Sequence, residues 1–136
     1  MTTRAAPAIM CGLVLLAAAA AAAAGLAGSE WRPIRIGVAA VADDAQIIVQ
    51  FRSDGRLAGH AACNRFTGSY ALAGNSIEIA PVAATRMVCP EPVMQQERLF
   101  LEVLERARGF ARNRTDLTLI GSQGDVTAFF VQTDWD

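Results

Sequence analysis

The 136-residue chain sets 12 basic side chains, every one an arginine, against 13 acidic ones, for a formal charge of −1. Near-neutrality without a basic stripe interleaved with aromatics argues against a nucleic-acid partner. The length fits one domain of ordinary size with a single, modest core.

The chain opens in the manner of an exported protein. Arg4 supplies a positive n-region, residues 10–16 begin an apolar run, and alanines carry it through Ala24. Gly25 and Ala27 are small enough for signal-peptidase cleavage before Gly28, so residues 1–27 are expected to be a secretory signal peptide. The run is also about long enough to remain as an uncleaved membrane anchor. The weak hydrophobicity of alanine favours cleavage. Cys11 lies near the start of the run, behind bulky Met10, whereas a lipid-accepting cysteine should follow the run. It is expected to leave with the leader. The expected location is periplasmic or secreted, with anchoring through the uncleaved leader as the alternative.

From residue 28 the pattern turns to short strands. Trp31 opens the first, with Ile34, Ile36 and Val38 alternating, and Pro33 argues for an edge position. Asp43-Asp44 marks a turn, and residues 47–51 form a stronger strand. Ser53-Asp54-Gly55 predicts a hairpin, because Asp-Gly accepts positive φ, and residues 56–61 return. Residues 66–72 and 76–80 flank the turn Ala73-Gly74-Asn75, and residues 84–88 form a short strand candidate. Near the end, residues 117–120 and 126–131 make another hairpin.

Residues 92–108 differ. Val93, Phe100, Val103, Leu104 and Ala107 recur at helical spacing, and Leu99 widens the stripe. Pro92 suits the first turn, Glu91 its positive end, and Gly109 the C-terminal cap. Glu102 and Arg106 form a favourable four-residue pair on the solvated side. The expected architecture is α+β: a curled antiparallel sheet or small open barrel of about eight strands packed on one amphipathic helix.

Three chemistries compete for the segment GHAACNRFTGSY, residues 59–70. With Cys11 gone, an exported chain keeps an even pair, Cys63 and Cys89, which predicts a disulfide. A metal site built on His60, Cys63 and Cys89, with Met87 or Met94 added for copper(I), lacks the second histidine that a four-ligand zinc site would need. Methionines are more often core filler. A Cys63–His60 nucleophile pair is three residues apart on one strand, and odd separations face opposite sides. No pair of carboxylates stands out for acid–base work. The reading is therefore a non-enzyme with no cofactor and no metal.

The motifs Cys63-Asn64-Arg65-Phe66, Gly68 and Tyr70, then Ile77 and Ile79, then Thr85-Arg86-Met87 with Cys89, resemble the META domain, the family of HslJ-like heat-shock proteins. Glu97, Phe100, the segment Leu117-Thr118-Leu119, Trp31 and the Ser53-Asp54-Gly55-Arg56 turn extend the resemblance over residues 28–136. One departure is Ala62, where the family commonly has glycine. If that backbone needs positive φ, alanine is strained there.

The resemblance implies a compact, mostly β fold with a packed helix. It also implies an envelope or secreted protein linked to stress or antibiotic tolerance, with no established catalysis. Such domains look similar to secretion pilotins, which bind lipid or peptide in a cracked barrel. The shared residues read as structural: Asn64 bonding nearby backbone, Tyr70 burying its ring with the hydroxyl paired, and Thr85, Arg86 and Glu97 clustering under the helix. The expected activity is binding, to an envelope protein, a peptide or a small apolar ligand. A carrier or an inhibitor using a sheet–helix cleft is the alternative.

Overall fold

The computed structural model describes residues 2–5, 12 and 25–133. Most of the expected leader, including Cys11, lies outside the described residues.

Among the described residues the elements run β1 (Ser29–Ile36), β2 (Ala39–Ala40), β3 (Ile47–Phe51), β4 (Arg56–Ala61), β5 (Arg65–Ala73), β6 (Ser76–Ile79), β7 (Ala83–Ala84), α1 (Glu91–Arg106), β8 (Gly109–Asn113), β9 (Asp116–Ile120) and β10 (Val126–Gln132). Eight of the strands form one antiparallel barrel in the order β1-β3-β4-β5-β6-β8-β9-β10, and β10 pairs back onto β1. The expected open sheet is thus closed. Closure leaves no long free edge in the barrel wall. The two-residue strands β2 and β7 are extra, pairing with β1 and β5.

Alternation builds the wall. Ile47, Val49 and Phe51 face inward on β3, and Leu117 and Leu119 do so on β9. The β3–β4 hairpin turns where Asp-Gly predicts it: Gly55 has φ +85°, and the Arg56 N–H donates to Asp54 Oδ1 at 3.1 Å. Gly59, on β4, has no room for a side chain, because a Cβ there would lie 2.0 Å from the Ile48 carbonyl oxygen.

Four expectations need correction. β1 is an inner strand, paired with β10 on one side and with β3 and β2 on the other. Pro33 is tolerated because β3 pairs only as far as Trp31 and β2 begins at Arg35, so its missing N–H falls in a gap. A register shift between Pro33 and Arg35 breaks the alternation, leaving Ile36 buried and Val38 fully exposed in the following turn. Residues 85–88 are irregular, since their backbone groups serve the polar cluster described below. The helix stops at Arg106, and Ala107 is extended (φ −61°, ψ 135°). Gly109 is therefore the first residue of β8, not a cap.

The helix packs against β1, β4 and β6. Phe100 and Leu104 are fully buried, and Phe100 meets Phe66 of β5 and Phe130 of β10 at ring-centroid distances of 5.8 and 6.4 Å. One helical ring thus touches two different strands of the wall. Burial of such a side chain contributes about 1.5–3 kcal/mol. The expected Glu102–Arg106 pair forms at 2.9 Å on the exposed side.

Candidate functional site

The sequence singles out residues in three stretches, and the fold brings two of them together under α1. The β4–β5 turn carries Ala62, Cys63 and Asn64. Ala62 has φ +80°, so the turn keeps the left-handed backbone that glycine would accept without strain. That conformation aims two successive amides, from Cys63 and Asn64, at one carboxylate.

The carboxylate is Glu97, in the middle of α1 and buried. Its Oε1 accepts from the Cys63 N–H at 3.2 Å and the Asn64 N–H at 2.6 Å, and its Oε2 accepts from Asn64 Nδ2 at 2.8 Å. Asn64 is buried as well, and its Oδ1 accepts from Thr85 Oγ1 at 2.8 Å and the Met87 N–H at 2.7 Å. Its Nδ2 also donates to the Met87 carbonyl at 3.2 Å. One asparagine therefore ties the turn, the helix and the strand-to-helix loop. Buried polar groups persist when they are satisfied in this way.

Beside it Cys63 and Cys89 are bridged, with a Cα–Cα distance of 6.0 Å. The bond spans a sequence separation of 26 residues, a loop worth roughly 3.5 kcal/mol in the chain-entropy account. Such a bridge is kept in an oxidising compartment. Among the described residues no helix is long and apolar enough to cross a membrane.

The remaining motif residues divide by role. Phe66 is core. Gly68 faces Val82, whose side chain a Cβ would meet at 3.1 Å. Tyr70 packs edge-on against Phe51 at 5.2 Å and donates its hydroxyl to the Arg52 carbonyl. Burial, then Asp54, pushes its phenol above the ordinary value of 10.0. Arg65 and Arg86 are exposed, so Arg86 is not part of the expected cluster, whereas Thr85 and Glu97 meet in it through Asn64. Met87 is 61 % exposed and is not core filler; it acts through its backbone. His60, on β4, turns away to donate Nδ1–H to the Gln46 carbonyl at 2.7 Å. Among the described residues no group of three or more His, Cys, Asp or Glu is placed to hold a metal ion.

The sheet–helix cleft expected for the alternative has a counterpart here, bounded by a strand that the sequence does not mark. Between β2 and α1 lies a groove of about 330 Å³, lined by Ile36, Ala39, Ala40 and Val41 and, from α1, by Pro92, Leu99 and the polar Gln95 and Gln96. Among the described residues β2 pairs only with β1, leaving its other edge unpaired. Two alanines between turns give no periodic signal that would mark such a strand.

Among the described residues these features define a small, disulfide-bridged β-barrel with one inserted helix, held by a buried asparagine–glutamate hub. The chain belongs to the META domain family, whose model matches residues 24–134. Among solved structures it is similar to a protein from Burkholderia xenovorans determined by NMR, with a TM-score of 0.66 and 23% identity over 98% of this chain and 99% of that one. A second NMR structure matches at a TM-score of 0.64 and 20% identity, covering 79% of this chain and 92% of that one. A DUF4847 family protein from Bacteroides vulgatus matches at a TM-score of 0.61 and 15% identity, covering 82% and 96%. No curated protein matches.

Proposed function

We propose that this META domain is an exported, non-enzymatic envelope protein that binds an extended segment of a partner protein, and that this binding contributes to stress or antibiotic tolerance. The observation that carries the reading is the edge of β2, unpaired among the described residues, beside the mixed groove against α1. An extended chain laid there would gain main-chain hydrogen bonds from β2 and apolar contact from Leu99 and Ile36.

The buried carboxylate supports the non-enzymatic part. Glu97 has both oxygens engaged by protein donors and is shut away from solvent, which suits a strut rather than an acid or base. A small apolar ligand is the second reading, favoured by a groove volume at the low end of the roughly 300–1,000 Å³ usual for ligand sites. No cofactor is invoked.

The test places a photo-crosslinking residue at position 99, and as a control at Val126, in the bacterial envelope. A discrete adduct is expected from 99 and not from 126. Ala40→Pro, which removes the N–H on the free side of β2, should abolish the adduct, and Ala40→Pro combined with Leu99→Arg should fail to restore tolerance in a strain lacking the protein. If the doubly substituted protein, with an unchanged Tm, restores tolerance fully, the groove is not the working surface.

A further inference from the structure

Residues 25–29 form an integral part of the barrel, at its far end from the groove. Ile36 lies beside α1 and Ser29 is seven residues back along β1, about 23 Å away at strand rise. Leu26 is fully buried within the core cluster. Its carbonyl accepts from the Ser29 hydroxyl, which is itself buried and accepts from Trp31 Nε1 at 2.7 Å. Gly28, at φ +78°, donates its N–H to the Phe51 carbonyl at 2.6 Å. Arg112 lies over the Trp31 ring at 5.0 Å and is held by Gln132 Oε1 at 3.0 Å. The plug thus joins core packing, a buried hydroxyl relay and a backbone bond to β3.

Cleavage before Gly28 would remove Leu26 and the acceptor of Ser29, leaving a hole at the end of the core. The alanine tract offers cuts that spare both. Ala22 and Ala24 meet the small-residue requirement as well as Gly25 and Ala27 do. The family match independently begins at residue 24 and so includes the plug.

We propose that the leader is removed within the alanine tract, no later than the Ala24–Gly25 bond, and that residues 25–28 remain as the barrel's plug. This inference rests on the exported reading above. The step is hydrolysis by signal peptidase: water breaks one amide, leaving a carboxylate on the leader and an ammonium on the mature chain.

The full chain, expressed with its own leader in an exporting bacterium, is purified from the envelope and its intact mass measured. A mature chain beginning at Gly25 or at an alanine before it is expected. A start at Gly28 or later overturns the cut. A chain that keeps its leader overturns the cut together with the processed-export reading, while the plug is decided by a second measurement. Oxidised chains 25–136, 28–136 and 25–136 carrying Leu26→Ala are melted side by side; every contact described lies within 25–133. Loss of the plug, and most of it from Leu26→Ala alone, should lower Tm by about 10 °C or more. Equal melting of all three overturns the plug.

Discussion

At the helix end of the barrel a buried carboxylate, an asparagine and a disulfide converge on a single turn. At the opposite end Leu26, Ser29, Trp31 and Arg112 close the core with apolar packing, one short relay and one cation over a ring. The first end joins segments far apart in sequence, and its members share partners. The second is held mostly by apolar packing, with one hydroxyl relay from Trp31 through Ser29 to Leu26. Residues that share partners couple, and residues at opposite ends, which share none, should add.

The largest effect that sharpens this contrast is Glu97→Ala. It strands three buried donors at once and should cost about 3 kcal/mol or more, read as a drop in the denaturant midpoint. In a double-mutant cycle with removal of the Cys63–Cys89 pair the losses should fall short of, or exceed, their sum by at least about 0.5 kcal/mol. Arg112→Ala, at the other end, should cost about 1 kcal/mol and add to Glu97→Ala within about 0.5 kcal/mol. Coupling across the barrel, or none within the hub, would erase the distinction.

Two smaller effects probe the turns. Ala62→Gly relieves a left-handed alanine worth about 1–2 kcal/mol of strain, partly offset by glycine's greater freedom when unfolded, about 0.5–1 kcal/mol. A rise in Tm of a few degrees is expected. Tyr70→Phe tests the alkaline limb. The folded phenol titrates above 10.0, so the native state holds its proton longer than the unfolded chain. Stability from this group is complete below the unfolded value, about 10, and is lost as pH rises from there through the higher folded value. The wild type should therefore lose stability above that pH, and the Phe variant should lose less, as read by chemical denaturation across the alkaline range.

Much of the wall was legible because its cues are local. The β3–β4 hairpin follows from period-two aliphatics around Asp54-Gly55, and α1 from the spacing of Phe100 and Leu104. The cysteine pair followed from counting. What could not be read depends on contacts between distant residues. Nothing near Trp31 announces that β10 will flank it, and Asn64 reads as a loop residue until Glu97, 33 positions on, is folded against it. β8 offers one core residue, Phe110, between a glycine and an alanine, too little to mark a strand. Leu26, set among small residues, reads as the tail of a leader, and only its burial tells otherwise.

The pairing of β1 with β10 also carries a timetable. A chain emerging from its N-terminus has its first strand waiting on its last, because Trp31 aligns with Gln132 and Ile36 with Ala128. Cys63 and Cys89 lie in the middle, and both emerge before β8 begins. The covalent link is thus available to a half-finished molecule, before ring closure. Late, long-range strand pairing is intrinsically slow and leaves a strand edge bare while it waits. An early bridge shortens that search, so its contribution to reaching the fold on time is distinct from its contribution to keeping it.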